Sequence, residues 1–97
     1  MEFEWDPVKE AINFEKHGIR FVEASTVFED SNARVFQDPK HSLSEHREIL
    51  VGASKESRVL VVSFTEREPR IRIISARRAN RKERWEHEEY KQSRSQK

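Results

Sequence analysis

The chain has 97 residues, of which 34% are hydrophobic and 38% are charged, with a formal net charge of +1 and no cysteine. This length predicts one domain with one small core. The lack of cysteine excludes disulfides and zinc–sulfur sites and fits a reducing cytoplasm. No apolar run approaches the roughly 20 residues that span a bilayer, and the acidic N-terminus is unlike a signal peptide. We therefore expect a cytoplasmic protein without a membrane anchor.

The N-terminal third predicts a short strand followed by two helices. Residues 3–5 alternate apolar and polar side chains, as a strand does. Asp6 as N-cap and Pro7 at the first helical position predict a helix start, and Gly18 predicts the helix end. The face predicted for this helix consists of Val8, Ala11, Ile12 and Glu15. A second helix follows, with an apolar stripe formed by Phe21, Ala24, Val27 and Phe28.

From Ala33 onward, the period of the pattern is that of strands. We predict four of them, at residues 34–36, 47–52, 58–67 and 71–77. The short connections at residues 55–57 and 68–69 favour antiparallel hairpins. Asn80 and Glu83, spaced as in a capping box, start a last helix that reaches about Gln92.

These elements predict an α+β fold in the order β-α-α-β-β-β-β-α. Two N-terminal helices are expected on one face of an antiparallel sheet, with a C-terminal helix after it. We expect residues 1–92 to form a single domain and residues 93–97 a flexible tail.

The small net charge conceals a strong polarity along the chain. Residues 1–31 contain eight Asp or Glu and three Lys or Arg, whereas residues 67–84 contain eight Lys or Arg and two Glu. Arginine matches the geometry of phosphate oxygens and stays charged. The basic segment therefore suggests recognition of a phosphodiester backbone, and the acidic segment is not expected to face nucleic acid. The alternative is a solvated surface on which these arginines pair with glutamates.

An ordered set of short motifs resembles the BrnT toxin family. The N-terminal motifs are Phe3-Glu4-Trp5-Asp6-Pro7, Asn13-x-x-Lys16-His17-Gly18, Phe21-x-Glu23-Ala24 and Val27-Phe28-x-Asp30. The later ones are Glu45-x-Arg47, Gly52, Phe64-Thr65-Glu66-Arg67 and Arg72-Ile73-Ile74-Ser75-Ala76-Arg77, followed by Glu83 and Tyr90. Arg20 departs from the pattern, because it stands where relatives usually carry the serine that caps the second helix.

The resemblance implies a RelE-like fold and a metal-independent ribonuclease that needs no cofactor and inhibits translation. It also implies two partners: an RNA substrate, and a BrnA-type antitoxin with a ribbon-helix-helix DNA-binding part. The chain would form a hetero-oligomer with this antitoxin and reach operator DNA only through it. No Asp, Glu or His group in the sequence has metal-ligand spacing, which agrees with metal independence.

Cleavage of RNA by its own 2′-hydroxyl requires stabilisation of charge on phosphorus, and arginines are the candidates for that role. Arg67 and Arg77 end neighbouring predicted strands, so we expect them to form, with Arg78, one arginine cradle at the strand ends. Strict alternation places Arg77 on the face of Ile71 and Ile73, and Arg78 on the opposite face. All three arginines are predicted catalytic residues.

The same chemistry requires a proton acceptor and a proton donor. Glu45 is the candidate base, although orienting an arginine or lying on the surface explains it equally well. Lys16 and His17 simply complement the helix dipole, or either of them contacts the phosphate or shuttles a proton. Tyr90 stacks on a base, donates a proton, or simply anchors the last helix. Two other functions stay open: a non-catalytic nucleic-acid-binding module and a purely protein-binding subunit.

Overall fold

The computed structural model describes residues 1–38 and 46–95, which form an α+β fold and confirm that class. The strands are β1 (Glu2–Glu4), β2 (Arg34–Gln37), β3 (Arg47–Ala53), β4 (Val59–Arg67) and β5 (Arg70–Arg78). The helices are α1 (Pro7–His17), α2 (Phe21–Thr26) and α3 (Arg81–Ser95), and a short 3₁₀ turn at Val27–Glu29 follows α2. The last helix therefore continues beyond Gln92 to Ser95. No helix in the described ranges is long and apolar enough to cross a membrane.

The sheet is mixed, not antiparallel as predicted. Its strand order is β1-β5-β4-β3-β2. The strands from β2 to β5 pair antiparallel in sequence order, as the short connections predicted. The first strand instead pairs parallel with β5, through Glu2–Arg70 to Glu4–Arg72. The prediction failed because the partner of β1 is distant in the chain, so no turn between the two strands reveals their relative direction.

Local capping signals set the ends of the two N-terminal helices. The Asp6 carboxylate accepts a hydrogen bond from the Val8 N–H at 2.8 Å, and Gly18 has a φ of 70° at the end of α1. Arg20 provides no side-chain cap to α2. The Glu10 carboxylate from α1 takes this role, because it accepts the Phe21 N–H at 3.0 Å. The first helix thus supplies the cap that the second one lacks.

The buried side of α1 is not the predicted one. Val8 and Ile12 are 67% and 60% exposed, while Asn13 is the buried residue of this helix. The Asn13 amide donates to the Ala76 carbonyl at 2.8 Å and to the Ile19 carbonyl at 3.1 Å, and its oxygen accepts the Ala76 N–H at 3.1 Å. Since β1 pairs with residues 70–72 of β5, Asn13 satisfies edge groups that no strand of residues 1–38 and 46–95 reaches.

The core lies between α2 and one face of the sheet, which we call the helix face. Its buried residues are Ile19, Phe21, Ala24, Val27, Leu50, Leu60, Val62, Phe64, Ile73 and Ala76. Phe3 and Phe28 extend this core, since the Phe28 ring lies 5.1 Å from that of Phe3 and 5.0 Å from that of Phe64. The opposite side of the sheet, the open face, contributes none of these core residues. The open face is therefore the side of the sheet that can bind a ligand.

A buried ion pair closes the end of the helix face. Glu23 accepts hydrogen bonds from Ser54 Oγ at 2.7 Å and from Arg58 Nε at 3.0 Å, and a second Arg58 nitrogen completes a bidentate pair. The hydrogen bonds from Arg58 are the main reason that the pKa of Glu23 is lowered, in spite of burial. Breaking this pair would leave a buried charge without its partner.

We expect this pair to make stability depend on acid pH. Because the pKa of Glu23 is lowered in the folded state, its contribution is complete above the unfolded glutamate pKa of about 4.3 and is lost as pH falls from that value through the lower folded pKa. The Glu23→Gln variant should lose about 1–3 kcal/mol of unfolding free energy at pH 7 and show a flatter acid limb. Urea unfolding from pH 7 to pH 3 measures both effects, with Glu29→Gln on the exposed surface as the control. Parallel pH curves for wild type and Glu23→Gln would contradict this prediction.

Candidate nucleic-acid interface

Arginines dominate the open face. Cross-strand partners share a face of a sheet, and alternate residues of a strand do so as well. By the observed register, six arginines within the described ranges belong to the open face: Arg34, Arg47, Arg67, Arg70, Arg72 and Arg77. They are distributed over β2, β3, β4 and β5, so the positive charge extends across the sheet.

A bulge in β5 determines whether Arg77 or Arg78, the last two residues of the strand, belongs to the open face. Ser63 pairs with Ser75, but Phe64 pairs with Ile73, so Ile74 has no partner on β4. Such an extra residue inverts the alternation of the strand beyond it. Arg77 therefore lies on the open face, and Arg78 lies on the helix face. The prediction that Arg77 shares the face of Ile71 and Ile73 was wrong, because it assumed an unbroken strand.

The expected cradle of Arg67, Arg77 and Arg78 is not formed. Arg67 pairs with Arg70 beside the hairpin turn, whereas Arg77 pairs with Val61 at the other end of β4. At about 3.3 Å per residue, the distance along the strand is roughly 20 Å. Antiparallel neighbours end at opposite ends of the sheet, which the prediction overlooked. Arg78 is separated from both by the sheet itself.

Carboxylates accompany several arginines of the open face. Arg72 Nη1 lies 3.0 Å from a Glu4 oxygen, and Arg70 Nε lies 3.5 Å from a Glu2 oxygen. The acidic N-terminal segment thus places two carboxylates on the same face as the basic segment. For these arginines, the predicted alternative of pairing with glutamates describes the geometry.

Arg77 is held by the first turn of α3. Its two terminal nitrogens donate to the two Glu83 oxygens at 2.9 and 3.0 Å. The predicted capping box is confirmed, since the Asn80 N–H donates to Glu83 and the Glu83 N–H donates to Asn80, both at 2.8 Å. The hydrogen bonds from Arg77 lower the pKa of Glu83, and those bonds raise the pKa of Arg77. One carboxylate therefore caps the helix and fixes the guanidinium, which the sequence did not indicate.

Lys16 and His17 approach the strand that carries Arg77. Both line a cavity of about 220 Å³ between the last turns of α1 and β5, together with Ile74 and Ser75. Ser75 lies on the open face, two residues before Arg77. The structure thus brings the two predicted α1 residues to the edge of the open face.

Tyr90 packs between two arginines. The guanidinium carbons of Arg34 and Arg94 lie 4.6 and 5.6 Å from the centre of its ring. Arg34 also lies 5.4 Å from the centre of the Phe36 ring. The sequence did not indicate a role for Arg34, because its face is determined by its pairing with Val51 of β3.

Glu45, the predicted base, lies outside the described residues.

Within residues 1–38 and 46–95, no three His, Asp or Glu side chains are grouped so that they could hold a metal ion.

Comparison with known proteins identifies the family. Residues 5–83 match the family model described as the ribonuclease toxin, BrnT, of type II toxin–antitoxin systems. The crystal structure of the Brucella abortus ribonuclease toxin BrnT is similar, with a TM-score of 0.65 and 25% identity over 84% of this chain and 99% of that one. No curated protein sequence matches. The fold and the match define the class as a ribonuclease toxin of a type II toxin–antitoxin system. The chain belongs to the BrnT family.

Proposed function

We propose that this chain is an endoribonuclease that cuts RNA without a metal ion and so inhibits translation in the cytoplasm. The observation that supports this proposal is the arginine-lined open face, which fits an RNA backbone better than it fits a small substrate. Near one end, Arg67 would hold a flanking phosphate, whereas Arg70 and Arg72 would do so only by exchanging their Glu2 and Glu4 partners for it. Arg77 at the other end would hold the scissile phosphate.

In the proposed reaction, the 2′-oxygen attacks the adjacent phosphorus and the bond to the 5′-oxygen breaks. The products are a 2′,3′-cyclic phosphate and a free 5′-hydroxyl. Negative charge builds up on the phosphate oxygens in the transition state, where a fixed guanidinium stabilises it. Glu83 holds the Arg77 guanidinium in a bidentate pair at 2.9 and 3.0 Å, so the side chain is oriented before RNA binds.

Proton transfer is assigned to the remaining residues that the sequence predicted. Lys16 and His17 are suited to contact the phosphate or move a proton, because they line the same edge of β5 as Ser75. Glu45 is retained as a candidate base and Tyr90 as a candidate donor. Arg67 acts at a distance from the scissile bond, and Arg78 has no direct contact with RNA in this proposal because it lies on the helix face.

We further propose that the fold is RelE-like and that a BrnA-type antitoxin with a ribbon-helix-helix part neutralises the toxin. The family description, which names a toxin–antitoxin system, supports a protein partner. Covering the open face is the simplest way to inhibit such an enzyme. Operator DNA would be reached only through the antitoxin, in a hetero-oligomer.

The direct test is cleavage of RNA by the purified toxin in the presence of EDTA. We expect products that end in a 2′,3′-cyclic phosphate, and protection when the 2′-hydroxyls are replaced by hydrogen. Loss of cleavage with EDTA would disprove metal independence. Salt-sensitive binding of RNA without any product would favour the binding-module alternative.

A further inference from the structure

We propose that the surface between β2 and α3 is a stacking site for one base of single-stranded RNA. This inference rests on the proposed function, because it names the part of the substrate next to the scissile phosphate. The site is an open groove of about 450 Å³, which we call the base groove. Its lining residues are Arg34, Phe36, Trp85, Glu86, Glu89, Tyr90 and Ser93.

Exposed aromatic rings line this groove. Trp85 is 64% exposed and Phe36 is 44% exposed. Placing a tryptophan in water on a mostly polar helix gives little to folding, whereas an aromatic face next to a nucleic-acid site offers a platform for bases. The Tyr90 ring already packs against Arg34 and Arg94, so it forms a wall of the groove. Trp85 and Phe36 are the rings that remain accessible to a ligand.

The base groove is continuous with the surroundings of Arg77. A second cavity of about 220 Å³ on the open face shares Arg34, Phe36 and Glu86 with the groove and also includes Arg77 and Glu83. The floor of this second cavity is apolar, formed by Ile49, Val51 and Val61. A strand with one phosphate on Arg77 would therefore have a neighbouring base within reach of the groove.

The charges of the groove determine which part of RNA enters it. Glu86 and Glu89 on α3 place negative charge there, which repels phosphate but not a neutral base. The backbone is thus directed to the arginines of the sheet and the base to the aromatic rings. Only an unpaired base has both of its faces free for such stacking, so the substrate class is single-stranded RNA.

The test separates the base from the backbone by using two uncleavable probes of equal length. One is a single-stranded oligodeoxynucleotide, which lacks the 2′-hydroxyl nucleophile, and the other is its abasic counterpart with the same phosphates. Trp85→Ala should weaken binding of the first probe about 5- to 100-fold, as for one stacked base, and leave binding of the abasic probe unchanged. Phe14→Ala is the matched control, because Phe14 is 39% exposed and has Arg20 over its ring at 3.9 Å, but belongs to α1.

The fluorescence of Trp85 gives a second readout, which reports contact between its ring and a base and not only the strength of binding. In a Trp5→Phe background, Trp85 is the remaining tryptophan, and its fluorescence should be quenched by the base-bearing probe and not by the abasic one. Equal affinities of wild type and Trp85→Ala for the base-bearing probe would overturn the proposal. The proposal would also be overturned if Trp85→Ala weakened binding of a protein partner but of neither probe. Wild-type protein that binds the base-bearing probe as expected but never cuts RNA would disprove the ribonuclease proposal and leave the base groove standing.

Discussion

The Arg77→Ala toxin is expected to cleave RNA about 10²- to 10³-fold more slowly than the wild type, the usual effect of removing one fixed donor from a developing anion. Arg77 is the arginine of the open face that lies between the Lys16–His17 edge and the base groove. Initial rates on a fluorogenic single-stranded RNA, measured at saturating substrate, give the effect directly. Salt-dependent binding of an uncleavable probe should weaken only modestly, because other arginines of the open face still contact the backbone.

Arg78→Ala provides the matched control for this experiment. It removes the same charge from the neighbouring residue, which lies on the helix face opposite Leu60. We expect its cleavage rate to stay within a few-fold of the wild type. Circular dichroism melting of both variants separates chemistry from folding, since Arg77 also pairs with Glu83 at the start of α3. An equal loss of activity in the two variants would refute the assignment of the site to the open face.

Asn13→Ala should produce the largest loss of stability of any single substitution considered, about 3 kcal/mol of unfolding free energy. The amide makes three hydrogen bonds with main-chain groups of Ile19 and Ala76. Removing the amide leaves these buried main-chain groups unsatisfied, and an unsatisfied buried polar group costs about 1–3 kcal/mol. The loss is a large fraction of the total for a domain that is stable by about 5–15 kcal/mol. Urea denaturation at pH 7 measures it.

Ile12→Ala is the comparison variant on the same helix. Ile12 is the neighbouring residue and is 60% exposed, so its truncation should change the unfolding free energy by no more than about 0.5 kcal/mol. The hydrophobic pattern of α1 places Ile12 on the buried face, so it predicts that Ile12→Ala is more destabilising than Asn13→Ala. If Ile12→Ala proves more destabilising than Asn13→Ala, the placement of α1 along β5 is wrong.

Features encoded by residues close together in sequence were predictable. Asp6 caps α1, Gly18 ends it with a left-handed conformation, and Asn80 with Glu83 starts α3. Each depends on hydrogen bonds within one turn of chain, so the residue types are sufficient to indicate it. The hairpins of β3, β4 and β5 belong to the same category, because their turns are short.

Features that depend on contacts between distant residues were not predictable. The parallel pairing of β1 with β5 involves residues from the two halves of the chain. The buried role of Asn13 depends on an edge of β5 that β1 leaves uncovered. An apolar face on α1 therefore gave the wrong orientation, because satisfying main-chain groups outweighed burying Val8 and Ile12.

The candidate site shows the same division. The excess of arginine around β5 was visible in the sequence, and Arg77 lies on a shared basic face with Arg70 and Arg72. The grouping of Arg67, Arg77 and Arg78 was wrong, because the direction of antiparallel strands and one bulge determine their positions. Arg34 and the base groove involve β2 and α3, whose proximity no local pattern reveals.

The unpaired Ile74 fixes which guanidinium the enzyme displays because it stands outside the ladder between β4 and β5. If Ile74 paired with Ser63, every later residue of the strand would shift by one position, turning Arg77 toward the helices and Arg78 outward. Deleting Ile74 would instead remove the bulge and leave Arg77 opposite Val61 on the open face. Active relatives with a β5 one residue shorter and without the bulge are therefore expected to display the same arginine.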